Sequence, residues 1–212
     1  MLEHVIACPI CGEKQFSRFL ETLDYTTTRE PFTIQRCNHC SFLLTNPRPD
    51  KTSIGKYYHS ANYISHTGGS GTAMDNIYRS VRNITLKQKL SLINKYQSKF
   101  NLLDYGCGTG EFLATCKDGG WTVTGVEPSD DARLKNRKDL EVVDSLSKVT
   151  TQVNAITMWH VLEHVHELNE TMARLRSLLT NNGTVFIAVP NHESYDATYY
   201  KNFWAGYDVP RH

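Results

Sequence analysis

Hydrophobic and polar positions alternate in blocks over the second half of the chain. Five short apolar runs are separated by helix-like segments, and the runs are LLDYG, TVTGVE, LEVVD, NAITMW and TVFIAVP. Two of the helix-like segments, Glu111–Lys117 and Leu168–Leu179, are followed within a few residues by glycine, as is typical of helix C-termini. The alternation predicts an α/β fold with a Rossmann-like, mostly parallel sheet and flanking helices. Such sheets bind ligands at the carboxyl ends of their strands.

A further apolar pattern precedes the first of these runs. Its residues recur at spacings of three and four, and they are Ile77, Val81, Ile84, Leu86, Leu90 and Ile93. This periodicity predicts an amphipathic helix that runs to about Lys99. We expect that helix to pack on the sheet that follows it.

The first 50 residues follow a different pattern, with two cysteine pairs around β-compatible stretches. The pairs CPIC and CNHC are separated by 25 residues, a gap longer than the about 15–20 residues of the usual zinc pattern. The β-compatible stretch PFTIQRC leads into the second pair. A β-hairpin can fill such a gap, and the small residues Gly12 and Ser41 after the pairs suit tight turns. We expect a structural zinc ion with a closed shell of four thiolates, and the alternatives are a redox dithiol or chance pairing. The expected ligands are Cys8, Cys11, Cys37 and Cys40.

The patterns predict two domains and a connection. Residues 1–50 form a small zinc-ribbon-like domain, and residues 76–212 form the α/β core. Residues 51–75 contain the glycine- and serine-rich stretch SHTGGSGTAM, which is typical of a flexible connecting segment.

Charge and composition limit the classes of partner that we expect. The 23 lysines and arginines nearly balance the 22 aspartates and glutamates, so the chain offers no general attraction to nucleic acid or acidic membranes. The N-terminus lacks a secretory pattern, and no run approaches the about 18 apolar residues of a membrane span. We therefore expect a cytoplasmic protein whose partner is a small molecule, with nucleic acid and membrane disfavoured.

The stretch LDYGCGTGEF is the motif that says most about the ligand. Gly106, Gly108 and Gly110 follow the first core strand, where a turn must pass under a ligand before a helix begins. The dinucleotide fingerprint would need a third glycine at the position of Glu111, whose carboxylate would repel a pyrophosphate. A phosphate loop would need lysine and serine or threonine after the last glycine. The loop therefore favours a nucleoside without phosphates and disfavours an NAD-linked oxidoreductase.

Acidic residues at the ends of successive strands support a nucleoside ligand. Glu127 ends the second core strand and can accept hydrogen bonds from both hydroxyls of a ribose. Asp144 ends the third strand and can accept from the exocyclic amine of an adenine. Asp104 in the first strand can steady the loop or meet an ammonium group.

The ordered motifs resemble those of class I S-adenosylmethionine-dependent methyltransferases. The resemblance covers roughly residues 80 to 192 and rests on LDYGCGTGEF, VTGVEPS, VVDSL, AITMWHVLEHV and NNGTVFIAVPN. It implies that the glycine loop accommodates the methionine part of S-adenosylmethionine, that Glu127 binds the ribose, and that Asp144 with Ser145 binds adenine.

A second resemblance concerns the whole chain. The cysteine pairs, the NPRP segment and the closing WAGYDVPRH are similar to those of bacterial methyltransferases with an N-terminal zinc-ribbon segment, which are encoded with sugar and polysaccharide pathways. This implies a sugar or small secondary metabolite as methyl acceptor. The alternatives are a zinc-ribbon nucleic-acid-binding methyltransferase and a catalytically inactive relative that binds the cofactor.

His160 is the candidate catalytic residue, because it directly follows the fourth core strand at the ligand edge. It is either a general base for a hydroxyl acceptor or part of the pocket wall. Ubiquinone-pathway O-methyltransferases have a similar stretch that holds a divalent ion, which implies a metal at His160, Glu163 and His164. Here His160 replaces an acid of that stretch.

Two further expectations concern the end of the chain. Aromatic side chains in this region either stack on a ligand or pack in the core, and they are Trp159, Tyr195, Tyr199 and Tyr200. The family's sheet has seven strands, whereas five are predicted here. Either the natural product continues, or an open sheet edge must be covered by a partner or by a second copy in a homo-oligomer.

Overall fold

The computed structural model describes residues 1–58 and 73–212, with side chains from residue 77 onward in the second range. The chain forms two compact units. One contains Met1–Gly68, Glu163–Asn169 and Pro190–His212, and the other contains Gly69–Leu162 and Glu170–Val189. Most of the predicted connecting segment 51–75 lies outside the described residues, and the predicted domain boundaries stay predictions.

The first unit is built on short antiparallel strands. Strand β1 (Leu2–Glu3) pairs with β5 (Arg48–Pro49), and a second sheet has the order β2-β3-β4, with strands β2 (Phe16–Leu23), β3 (Pro31–Cys37) and β4 (Leu43–Thr45). The predicted β-structure of PFTIQRC is therefore confirmed. Its small core is Phe32, Ile34, Tyr57 and Val209.

A buried arginine ties the end of the chain into this unit. The Arg211 guanidinium, with no exposed side-chain surface, donates to Asp24 at 2.9 Å and to Asp208 at 2.6 Å. It also donates to the carbonyl of Tyr57 at 2.7 Å. Asp24 in turn accepts hydrogen bonds from the backbone of Thr27 and Thr28. Because both charges are paired and hydrogen-bonded, the network holds residues 208–212 in one position.

The second unit contains the five predicted core strands, which are confirmed. Its elements are α1 (Ala73–Tyr96), β6 (Asn101–Tyr105), α2 (Glu111–Asp118), β7 (Thr122–Val126), α3 (Asp130–Arg133), β8 (Glu141–Val143), β9 (Val153–Trp159), α4 (Leu168–Leu178, whose first two residues belong to the first unit) and β10 (Leu179–Ala188). The order is β10-β9-β6-β7-β8, and all pairs are parallel. The chain leaves β6 toward β7 on one side and later returns to β9 on the other. The carboxyl end of β6 is therefore the switch point where such sheets bind ligands.

The amphipathic helix packs over only part of its length. In α1, Ile93 is fully buried, and Leu86 and Leu90 pack on the same core cluster. Ile77, Val81 and Ile84 are 59%, 56% and 57% exposed. The predicted packing is therefore confirmed only for the second half of the helix, because contact with the core begins at Leu86.

The last helix, α5 (Tyr195–Tyr200), belongs to the first unit. None of the helices in the described ranges combines the length and the apolar character needed to cross a bilayer.

Candidate functional site

The glycine loop follows β6 at the switch point of the sheet. Gly106, Gly108 and Gly110 have φ values of 76°, 54° and 73°. These are left-handed conformations that glycine adopts without the steric cost of a Cβ atom. The amide of Gly106 donates to the carbonyl of Val126 at 2.7 Å, which fixes the loop to the end of β7.

The three glycines have different surroundings. A Cβ atom on Gly106 would lie 2.5 Å from Val161, and one on Gly110 would overlap Asn136. No described atom lies within 4 Å of the corresponding position on Gly108. Gly106 and Gly110 thus allow other parts of the protein to approach, whereas Gly108 faces open space in which a ligand can lie.

Glu127 lies beside this open space at the end of β7. Its Oε2 accepts a hydrogen bond from the amide of Gly108 at 2.9 Å, and its Oε1 accepts from the amide of Ser129 at 2.8 Å. An ionised carboxylate has about four lone-pair positions, so each oxygen can accept a further hydrogen bond. The structure therefore brings together Glu127 and the middle glycine, and the carboxylate is oriented by two backbone donors.

Asp144 and Ser145 follow the neighbouring strand β8. The amide of Glu127 donates to the carbonyl of Val143 at 2.9 Å, which links the ends of the two strands. Asp144 accepts from the Lys148 ammonium at 2.7 Å. This hydrogen bond, with a second from Ser145, lowers the pKa of Asp144, so the carboxylate is ionised at neutral pH.

Asp104 lies within the sheet, in β6. It is 3% exposed and accepts a hydrogen bond from the Thr157 hydroxyl at 2.6 Å. Burial raises the pKa of Asp104 to about 7, although the Thr157 hydroxyl and the charge of Lys89 oppose the shift. Near neutral pH this carboxyl is therefore close to half protonated, and a nearby cation would favour its charged form.

Glu111 begins helix α2 and forms an ion pair with Arg82. The expected repulsion of a pyrophosphate is therefore reduced by a neighbouring cation. The missing third glycine of the fingerprint remains as the argument against a dinucleotide.

His160 follows β9 directly and is exposed. Its amide donates to the carbonyl of Ala188 at 2.9 Å, and its φ of 58° is unusual for a residue other than glycine. Non-glycine residues in this conformation cluster at functional sites. Its role as a general base stays a prediction.

The aromatic candidates have separate environments. Trp159 packs edge-on against Phe112, with ring centroids 5.6 Å apart, and the Lys89 ammonium lies 4.5 Å from the Trp159 ring centroid. The Trp159 Nε1 is buried and has no partner among the described residues. Tyr195 and Tyr199 stack on each other at 5.9 Å on α5, and they are 79% and 65% exposed. Tyr200, also on α5, is 51% exposed.

The four cysteines of the two pairs form one cluster in the first unit. Their sulfur atoms all lie within 4.8 Å of one another. The Sγ atoms of Cys8 and Cys40 are 3.5 Å apart, as are those of Cys11 and Cys37. These separations exceed the about 2.05 Å of a disulfide and approach those of a tetrahedral zinc shell with Zn–S bonds of about 2.3 Å.

Each cysteine pair forms the same kind of turn. The amide of Gly12 donates to the carbonyl of Cys8 at 2.9 Å, and the amide of Ser41 donates to that of Cys37 at 3.1 Å. Gly12 and Ser41 both have positive φ values, 77° and 62°. Burial would raise the pKa of Cys37, but backbone donors of Cys40 and His39 lower it to about 6. The turn thus stabilises a thiolate, which is the metal-binding form.

A second group of metal-type ligands lies in the same unit. Ligand atoms of Glu163, His164 and His212 lie within 4.8 Å of one another. Burial lowers the pKa of His164, and the neighbouring His212 lowers it further. His160 is not a member of this group, so the structure brings Glu163 and His164 together but supplies a different third residue. The sequence did not indicate His212, which is 48 residues away.

Comparisons with known proteins identify the family of residues 75–212. A family model described as "Methyltransferase domain" matches residues 75–212. No curated protein matches the chain. The magnesium protoporphyrin IX methyltransferase from Synechocystis PCC 6803, solved with bound SAH, is a structural neighbour with 16% identity and a TM-score of 0.52, covering 72% of this chain and 77% of its own.

Two further solved structures are similar over shorter spans. The plantazolicin methyltransferase BpumL, solved with a monoazolic analog and SAH, has 17% identity and a TM-score of 0.51, and the match covers 63% of this chain and 60% of that chain. The PH0226 protein from Pyrococcus horikoshii OT3 has 25% identity and a TM-score of 0.44, with coverages of 52% and 54%. This chain thus spans little more than half the length of these two.

The two neighbours with the higher TM-scores share the sheet fold, and the family model covers well over half of the chain. The chain therefore belongs to the methyltransferase domain family, as the order of its glycine loop and strand-end acids predicts.

Proposed function

We propose that this protein is an S-adenosylmethionine-dependent methyltransferase whose cofactor lies over Gly108 with its ribose on Glu127. The observation that carries the proposal is the hydrogen bond of 2.9 Å from the Gly108 amide to Glu127, beside open space on Gly108. A backbone without side chain and an oriented carboxylate together suit an uncharged nucleoside better than a phosphate.

The remaining strand-end residues complete the cofactor contacts. Glu127 would accept hydrogen bonds from the two ribose hydroxyls on its two oxygens, and Asp144 with Ser145 would accept hydrogen bonds from adenine. Asp104, whose pKa burial raises to about 7, would be held in its ionised form by the methionine ammonium. SAH is bound in the Synechocystis and plantazolicin enzymes, which supports this choice of cofactor.

S-adenosylmethionine supplies a methyl group on a sulfonium for in-line displacement. The protein's main contribution is to hold the acceptor near that methyl carbon, and such positioning contributes up to about 7–11 kcal/mol. His160, exposed at the carboxyl end of β9, takes the proton of a hydroxyl acceptor in this proposal. General-base catalysis of this kind contributes about 10²–10⁴-fold.

The proposed acceptor is a small molecule, such as a sugar or a secondary-metabolite intermediate. The near balance of 23 basic and 22 acidic residues supports this choice, because a nucleic-acid enzyme gains much of its affinity from clustered positive charge. The two methyltransferases with TM-scores above 0.5 are named for their acceptors, magnesium protoporphyrin IX and plantazolicin.

The cysteine cluster is proposed to hold zinc. Its four sulfur atoms within 4.8 Å fit a tetrahedral ion, and four thiolates leave no position for a reactive water. The ion then stabilises the small first unit and takes no direct part in methyl transfer.

Calorimetric titration of the zinc-loaded protein with S-adenosylhomocysteine tests the cofactor site. We expect saturable binding by the parent and binding weakened at least about 100-fold in Glu127→Ala, because two hydrogen bonds to a charged group contribute about 1.5–3 kcal/mol each. The matched control is Glu141→Ala, which removes an exposed carboxylate of β8. Failure of the parent to bind, or equal binding by Glu127→Ala, would contradict the proposal.

Methyl transfer is then measured with S-adenosylmethionine carrying a tritiated methyl group and a panel of sugars and small metabolites. We expect transfer to one class of acceptor, and a loss of transfer in His160→Ala at unchanged cofactor affinity. Tight cofactor binding without transfer to any acceptor would indicate an inactive relative. RNA affinity that falls steeply with salt would indicate the nucleic-acid alternative.

A further inference from the structure

Strand β3 of the first unit has a charged side chain on the face that forms the core. Side chains alternate between the two faces of a strand, so Phe32, Ile34 and Arg36 point to the same side. Phe32 and Ile34 belong to the core of this unit. Arg36 therefore continues a core face, where an arginine is rare unless its charge is paired.

A β-bulge in the neighbouring strand brings an aromatic ring to the same face. The pairing of β2 with β3 shifts between Arg18 and Leu20, which leaves Phe19 as an extra residue. Such an extra residue changes the direction of the side chains around it. Phe19 and Leu20 are consecutive, and both pack on the core. The guanidinium carbon of Arg36 lies 4.8 Å from the centroid of the Phe19 ring.

The guanidinium of Arg36 has neither a hydrogen bond nor an ion pair within the described residues. Its Nε is buried without a partner, whereas its two terminal nitrogens are accessible. Folded proteins pair nearly all of their buried donors, so this one needs an explanation. A guanidinium that is partly removed from water also attracts an anion more strongly than a fully hydrated one. Arg36 is thus suited to bind an anionic ligand through its terminal nitrogens.

Two further polar side chains lie around the Phe19 ring. The ring centroid of His192 is 6.0 Å from that of Phe19, and the ring centroid of Tyr207 is 6.3 Å from it, both in edge-on geometry. Neither the imidazole of His192 nor the hydroxyl of Tyr207 forms a hydrogen bond with another part of the chain that the structure describes. Three side chains that can donate hydrogen bonds therefore surround one ring without acceptors of their own.

We propose that Arg36, His192 and Tyr207 bind a phosphate group, either free or esterified to a small molecule. The guanidinium fork matches two oxygens of a phosphate, and the imidazole and the hydroxyl can donate to a third. A carboxylate has only two oxygens, which suits three donor side chains less well. All of these residues belong to the first unit and none contributes to the proposed cofactor site, so the test needs no cofactor and no methyl transfer.

Phosphate binding is measured on the full, zinc-loaded chain by ³¹P nuclear magnetic resonance titration, with inorganic phosphate and with glucose 1-phosphate. We expect saturable binding by the parent and binding at least about tenfold weaker in Arg36→Gln, because hydrogen bonds from a charged donor are lost. Tighter binding of glucose 1-phosphate would assign the site to a phosphorylated small molecule. Tighter binding of inorganic phosphate would assign it to the free ion.

Arg18→Gln is the matched control, because it removes an arginine of the adjacent strand. The Arg18 side chain is 65% exposed and paired with Glu21 at 2.8 Å, so this variant should keep the phosphate affinity of the parent. Equal weakening in Arg18→Gln and Arg36→Gln would show a general effect of positive charge and would overturn the proposal.

Tyr207→Phe separates a lost contact from a lost fold, since it removes only a hydroxyl. We expect severalfold weaker phosphate binding at unchanged zinc content and circular dichroism. The same two measurements show whether Arg36→Gln is folded. A parent that binds neither phosphate saturably would overturn the proposal. So would an affinity in Tyr207→Phe and in folded Arg36→Gln equal to that of the parent.

Discussion

The cysteine cluster and the glycine loop each contain a glycine with a positive φ whose amide donates a hydrogen bond, but the two sites differ in what they can bind. Gly12, after the first cysteine pair, has a φ of 77°, and Gly108 has a φ of 54°. Each amide makes one hydrogen bond of 2.9 Å, from Gly12 to the carbonyl of Cys8 and from Gly108 to the carboxylate of Glu127. In the cluster, four side chains of the protein surround one point. In the loop, the middle glycine faces open space.

The difference distinguishes a site suited to stabilise the fold from a site suited to bind a ligand. Four thiolates around an ion leave no position for another ligand, so the free energy of binding contributes to folding. The carboxylate of Glu127 is oriented by two amides and keeps the capacity to accept further hydrogen bonds. Substitutions at the two sites test this contrast.

Removal of one cysteine ligand has the largest expected effect. We expect Cys37→Ser to release the ion and to unfold the cysteine turns, because zinc binding stabilises small zinc domains by on the order of 10–16 kcal/mol. Zinc content and circular dichroism measure the loss. Cys116→Ala is the control, since Cys116 is buried in the core of the other unit and should not affect zinc content. Full zinc content in Cys37→Ser would contradict the closed shell.

The buried carboxyl group of Asp104 should make the free energy of unfolding depend on pH. Burial raises the pKa of Asp104 to about 7, above its ordinary 3.8. Between these values the folded protein holds a proton that the unfolded chain has lost. The free energy of unfolding therefore falls as pH rises from about 4 to 7, by up to roughly 1 kcal/mol per pH unit, and levels off above.

Asp104→Asn should remove that slope, because the amide has the same shape and does not titrate. Urea unfolding of the parent and the variant from pH 4 to 8 gives the comparison. A slope of equal size in both proteins would show that Asp104 does not titrate as described.

Alanine at two glycines of the loop separates packing from ligand access. Gly106→Ala places a methyl group 2.5 Å from Val161 and keeps a positive φ, so we expect a loss of about 2–5 kcal/mol in the free energy of unfolding. Gly108→Ala has only the cost of its φ, about 1–2 kcal/mol, but should weaken the binding of S-adenosylhomocysteine. Urea unfolding and calorimetry measure the two effects. Normal cofactor affinity in Gly108→Ala would argue against a ligand at this glycine.

The smallest expected effect is at the end of β8. Asp144→Ala removes one hydrogen bond to adenine, so we expect about tenfold weaker binding of S-adenosylhomocysteine. The midpoint of unfolding should change little, because the ion pair of Asp144 with Lys148 is exposed. Lys148→Ala removes the same ion pair and should leave the cofactor affinity near that of the parent. Equal weakening in both variants would indicate that the ion pair matters rather than the adenine contact.

Features that are local in the sequence could be predicted well. The five parallel strands and the cysteine cluster follow from apolar runs and from the spacing of the cysteine pairs, which short-range physics governs. The glycine loop could also be located. The sequence did not indicate that Val161 packs close to Gly106 and Asn136 close to Gly110, whereas Gly108 faces open space. Those contacts depend on tertiary packing.

Features that join distant segments could not be predicted from spacing. Asp24 and Arg211 form a buried ion pair across 187 positions, and each alone resembles an ordinary surface charge. His212 joins Glu163 and His164 for the same reason. The apolar periodicity of α1 predicted more packing than the structure has, because periodicity shows which face of a helix is apolar but not how much of that face is covered.

The central claim is that Gly108 and Glu127 hold the nucleoside of the cofactor. The most direct test is a nuclear magnetic resonance titration of the ¹⁵N-labelled protein with S-adenosylhomocysteine, following the amides of Gly108 and Gly12 together. We predict that the Gly108 signal shifts to saturation, because its hydrogen bond to Glu127 forms part of the site, while the Gly12 signal stays in place. Saturable binding that leaves Gly108 unshifted would contradict the account.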